Sequence, residues 1–131
     1  MASPFLDDAQ KKAARTELAK IFKLAAQGHP VEMFSTAIDD VWHDMLMDRQ
    51  AYEAFSLQES GAIIGHATTS GEGLISFIKA YEAAYGKLPE IWFTQRNGTY
   101  DSARYKQYLN SGVVRAQWDC TPTHNCARVA Q

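Results

Sequence analysis

The sequence predicts an all-α fold, a single-domain bundle of four or five helices with an irregular C-terminal tail. Three observations lead there. Apolar residues recur at three- and four-residue spacing in several separate stretches. Ser, Asp and Gly stand at the ends of those stretches, where helix caps belong. Hydrophobic residues make up 46% of the 131, enough to fill one core. The domain is read as residues 1–131, with its core over about 4–112 and the irregular segment over 113–131.

The first helix is expected from about Pro4 or Asp8 to Gln27. Ser3-Pro4 suits a cap and first turn, and Asp7 and Asp8 complement the helix dipole. Leu18, Ile21, Phe22 and Ala25 form its apolar stripe, and Gly28 with His29-Pro30 ends it. A second helix should run from near Ser35 to about Met47, burying Ile38, Val41, Trp42, Met45 and Leu46. Asp48 caps a short third helix over Arg49 to Gln58, with Tyr52 and Phe55 inward and Gly61 closing it. The stretch from Ala62 to Gly71 reads as a loop with a brief extended piece at Ile63-Ile64.

A fourth helix is expected from Ser70, with Leu74, Phe77, Ile78, Tyr81 and Tyr85 on one side and Gly86 as its stop. Pro89 opens a turn that delivers Trp92 and Phe93, and Asp101 caps a last helix carrying Tyr105, Tyr108 and Leu109 to about Ser111-Gly112. Beyond Val114 the chain reads as irregular.

Composition excludes some functions. The 13 basic and 15 acidic residues leave a formal charge of -2, without the concentrated basic surface that nonspecific nucleic-acid binding needs. No apolar run approaches the roughly 20 residues that span a bilayer, and the N-terminus lacks the basic start and apolar stretch of a secretory signal. The expectation is a cytoplasmic protein with no nucleic-acid or membrane partner, in which Asn97-Gly98-Thr99 is a turn rather than a glycosylation site. Cys120 and Cys126 enclose Thr121-Pro122-Thr123-His124-Asn125. They read as free thiols in a loose tail, as a short-loop disulfide, or with His124 as part of a metal site that lacks a local fourth ligand.

The segment richest in chemistry is Ile38-Asp39-Asp40-Val41-Trp42-His43, with His66 downstream in a glycine-flanked loop. On a helix Asp39 lies four residues from His43 and Asp40 three, so either carboxylate can orient the imidazole and leave its other nitrogen free. His43, His66 and Asp39 would suit zinc or iron, provided one coordination position stays open. A histidine at the edge of a core, bonded to a carboxylate or a loop carbonyl, is the simpler reading of the same residues.

Asp39-x-x-Trp42-His43 is followed by Leu46, Tyr52, Phe55, Gly61 and His66, and later by Gly86-Lys87-Leu88-Pro89-Glu90-Ile91-Trp92. This pattern resembles small bacterial proteins similar to the glycine-rich domain-containing protein-like family, which also has plant members. The resemblance spans roughly Ile38 to Trp92 and implies that the Asp-Trp-His segment is a family signature. Ser56 stands where the pattern has a cysteine, and Gly65 where it has the first of two histidines.

Other constellations carry less. The serines have no nucleophile-elbow context, Gly71-Glu72-Gly73 reads as a helix start, and no phosphate-loop or dinucleotide fingerprint occurs. The aromatic-rich C-terminal third suits an interface, since Tyr and Trp are favoured there. The leading expectation is therefore a small helical protein-interaction module with a protein partner, in which Asp39, Trp42, His43 and His66 form a chiefly structural polar centre. Its rival is a metal-dependent, hydrolase-like enzyme using His43 and His66 as ligands with Asp39 or Asp40 as ligand or base. A third reading is a ligand pocket lined by Trp42, Tyr52 and Trp92.

Overall fold

In the computed structural model, which describes residues 5–123, helix α1 (Asp8–Ala26) is capped by Asp7. The Asp7 carboxylate accepts from the Gln10 backbone N–H while the Gln10 side chain accepts from the Asp7 N–H, a reciprocal capping box. The predicted Ser3-Pro4 start lies outside the described residues. Ser35 caps α2 (Thr36–Leu46), Asp48 caps α3 (Arg49–Ser60) and Asp101 caps α5 (Ser102–Ser111), each by accepting a backbone N–H three residues on. Gly61 and Gly112 end α3 and α5 in the left-handed conformation that glycine adopts without cost. A one-turn 3-10 helix over Glu90–Phe93 follows Pro89.

The all-α expectation is wrong: the fold is mixed, and the described residues form five α-helices with two small antiparallel sheets. Strand β1 (Gly65–Ala67) pairs with β4 (Thr121–Thr123), setting His66 opposite Pro122. Strand β2 (Gly71–Leu74) pairs with β3 (Arg115–Trp118), setting Gly71 opposite Trp118. The helix predicted from Ser70 begins only at Ile78, as α4 (Ile78–Tyr85), and Leu74 lies 51% exposed in β2. The irregular tail is likewise corrected through residue 123: Val114 and Cys120 are buried, and two strands carry the segment back across the molecule.

The reason is pairing across about 40 residues of sequence. Gly71-Glu72-Gly73-Leu74 has almost no intrinsic preference for a strand. It becomes one because Trp118 lays its ring over Gly71, so closely that a Cβ there would stand 2.2 Å from Trp118 Cζ2. Only glycine leaves that space. The Ile75 N–H then donates to the Val114 carbonyl, extending the pairing past the strand.

The core has two aromatic centres. Phe22 of α1 packs against Trp42, Tyr52 and Phe55, with ring centroids 5.7–5.9 Å away. Phe34, Phe77, Trp92 and Phe93 form the second, extended through Tyr105 and Tyr108. Buried Glu17 is satisfied beside the second centre: it accepts from the Trp92 indole at 2.8 Å, the Tyr81 hydroxyl at 2.5 Å and the Lys20 ammonium at 2.9 Å. No described helix is long and apolar enough to cross a membrane.

Candidate metal centre

Helix α2 buries Ile38, Val41 and Trp42, and the same turn places Asp39 at the edge of the core with its carboxylate aimed along the helix at His43. His43 Nε2 stands 3.4 Å from Asp39 Oδ1. Strand β1 brings His66 to the same oxygen, with its Nε2 3.5 Å away. One ligand atom from each of Asp39, His43 and His66 lies within 4.8 Å of the others. Asp40, the alternative carboxylate, is not part of this group.

The two imidazoles differ in environment. His43 is 56% exposed along its side chain and forms the outer wall, while His66 is 12% exposed. The two rings are edge-to-face at 4.5 Å, and Trp42 holds His66 from beneath at 4.4 Å, also edge-to-face. His66 Nε2 is buried and stands 3.5 Å from the Asp39 carboxylate without completing a well-formed hydrogen bond to it. Buried ring nitrogens are ordinarily paired, so this atom faces the cluster with its capacity unused.

The tail contributes a residue that sequence reasoning did not connect with the site. Cys120 carries a free, buried thiol that donates to Asp39 Oδ1 at 2.9 Å. Its carbonyl accepts from the Met33 N–H, which pins the residue between β3 and β4. The signal in the sequence was the alternation of apolar Val114, Ala116 and Trp118 with polar Arg115 and Gln117, a two-residue period that marks a strand. Cys126 and His124, the other members of the proposed cysteine site, lie outside the described residues.

The electrostatics follow from this convergence. Burial pushes the Asp39 carboxyl up, but the neighbouring His66, the Cys120 thiol and His43 together outweigh it and hold the group below its ordinary value. Burial, and then the hydrogen bond and charge of Asp39, push the Cys120 thiol well above its ordinary value, so it is neutral here.

Trp42 and Tyr52 support the site. The Trp42 indole donates to the Tyr52 hydroxyl at 3.1 Å, and that hydroxyl donates to the Ile64 carbonyl at 2.5 Å, tying α2 and α3 to the residue that leads into β1. Tyr52 also lines a cavity of about 460 Å³ with His43, Leu46, Ile64, His66 and Thr68. Trp92 does not join them: its partners are Glu17, Phe34 and Phe77 in the second aromatic centre.

The two departures from the resembled pattern have structural roles here. Ser56 donates to the Ala62 carbonyl and accepts from the Ile64 N–H, both at 2.7 Å, which shapes the turn before β1. At Gly65 a Cβ would meet Thr123 Oγ1 at 2.6 Å, so a larger residue would require the Thr123 side chain to shift. No family model matches this chain, and no curated protein or solved structure matches it either.

Proposed function

We propose that this protein binds a divalent d-block metal ion, of the zinc or iron class, through Asp39, His43 and His66. The observation that carries the reading is the buried His66 Nε2, which lacks a well-formed hydrogen bond in a group where one ligand atom each of Asp39, His43 and His66 lies within 4.8 Å of the others. At bond lengths of about 2.0 Å, tetrahedral angles set neighbouring N and O ligands about 3.3 Å apart. The observed 3.4 and 3.5 Å are close to that. Two imidazoles and a carboxylate are a borderline donor set that favours zinc or iron over magnesium or calcium.

A specific observation favours a second, enzymatic reading. The cavity beside His43 and His66 would let a metal-bound water meet a substrate, which is the arrangement of a hydrolase. For a protein-docking role, Trp92, Phe93 and Tyr108 are buried in the core, while Tyr85, Tyr100, Leu109 and Val113 stay exposed.

The test is elemental analysis of protein purified without chelator or affinity metal, followed by zinc titration of the stripped chain. About one equivalent is expected, lost in His43→Ala/His66→Ala. Equal metal content in that double variant sinks the proposal.

A further inference from the structure

We infer that Cys120 is a positioning residue of this centre: its thiol turns the Asp39 carboxylate toward His43 and His66 and holds it there. This rests on the metal-binding reading above.

An aspartate carboxylate turns in a broad, two-fold torsional well, so a helix alone does not fix where its oxygens point. Among the described residues, the well-formed hydrogen bond to the Asp39 side chain comes from the Cys120 thiol, 2.9 Å from Oδ1. His43 Nε2 and His66 Nε2 stand farther off, at 3.4 and 3.5 Å from the same oxygen. A carboxylate oxygen has two lone pairs, so Oδ1 can accept from the thiol with one and face the imidazoles with the other. The Cys120 sulfur is not in the group of ligand atoms within 4.8 Å of one another, which Asp39, His43 and His66 supply. It acts on the centre through the carboxylate, as the hydrogen-bonding partners of ligating carboxylates commonly do.

The backbone fixes the thiol in turn. Cys120 is 1% exposed, its carbonyl accepts from the Met33 N–H at 3.1 Å, and Thr121, next along the chain, pairs with Ala67 beside His66. One stretch of chain thus braces the strand that carries one ligand and supplies the donor that aims another. A buried cysteine can also serve as a small apolar filler. The two roles rank substitutions in opposite orders.

Cobalt(II) titrations of stripped, full-length chains, read by visible absorption, test this. Cys120→Ser keeps a donor at the position, whereas Cys120→Val fills the space without one. Donation predicts affinity close to wild type in Cys120→Ser and a loss of about 10- to 100-fold in Cys120→Val. Filling predicts the reverse, because an apolar site accepts valine more readily than a hydroxyl. The reverse order, or equal affinity in all three chains, overturns the inference while leaving metal binding intact. Should Cys120→Val lose its native circular dichroism, Cys120→Ala takes its place as the chain without a donor. Cys126→Ser, in which Cys120 is the remaining thiol, should bind cobalt without a near-ultraviolet thiolate band. Such a band would make Cys120 a ligand and overturn the positioning role whichever variants fold. A wild-type chain that binds neither cobalt nor zinc overturns both readings.

Discussion

Replacing Tyr52 with phenylalanine removes one oxygen atom and leaves two buried groups without their partner. The Tyr52 hydroxyl accepts from the Trp42 indole and donates to the Ile64 carbonyl, and Trp42 and Ile64 are fully buried. A buried polar group stripped of its partner costs about 1–3 kcal/mol, so Tyr52→Phe, which strips two, should lose about 2–6 kcal/mol. Unfolding entropy scales to about 0.3 kcal/mol per kelvin for 131 residues, which turns 3 kcal/mol into a fall in Tm of roughly 10 °C. The assay is urea unfolding followed by far-ultraviolet circular dichroism, run as a cycle with Trp42→Phe. Removing the indole donor as well should make the double variant less destabilised than the sum of the singles by about 1 kcal/mol. A loss below about 0.5 kcal/mol, or strict additivity, would refute the claim that this hydroxyl bridges the two groups.

Three further outcomes are expected. Gly71→Ala should cost about 1–3 kcal/mol through its clash with the Trp118 ring, and Trp118→Ala should relieve part of it; additive costs in the urea midpoints would reject the contact. Leu74→Ser should change stability by less than about 0.5 kcal/mol because Leu74 is exposed on β2, whereas an inward helical leucine would cost several times more. Burial pushes Tyr52 up to about 12, and burial with Glu17 or Glu82 pushes Tyr81 and Tyr108 higher still. Folded values raised above the ordinary 10 mean that the neutral phenols' contribution is intact below pH 10 and lost as pH climbs beyond it. Part of the tyrosinate absorbance should therefore rise together with alkaline unfolding, and a single smooth titration near pH 10 with native circular dichroism would contradict this.

Helix ends were legible because capping is local chemistry. Ser35, Asp48 and Asp101 need only an N–H three residues away, and Gly61, Gly86 and Gly112 only their own backbone freedom. The pairing of Asp39 with His43 was legible for the same reason, since one helical turn brings them together. Strand β2 was not, because a four-residue strand with two glycines carries no period of its own and depends on a partner some 40 residues later; β3 carries a short apolar–polar alternation that went unread. Leu74 joined the apparent helical stripe only because its spacing to Phe77, Ile78 and Tyr81 is compatible with a helix that does not form there. Cys120 escaped notice because its role exists only after β1 and β4 meet.

The β1–β4 pair also sets an order of events during synthesis. Helices α1 to α3 pack on one another within the first half of the chain, while α1 and α2 also wait for the one-turn 3-10 helix, and α1 for α4 and β4. Strand β1 has no partner until residues 121–123 follow it out of the ribosome, and Cys120 leaves just ahead of them. A nascent chain therefore carries Asp39 and His43 on a finished helix while the wall that completes their surroundings does not yet exist. The surroundings of Asp39 and His43 are completed only once residues 120–123 are in place.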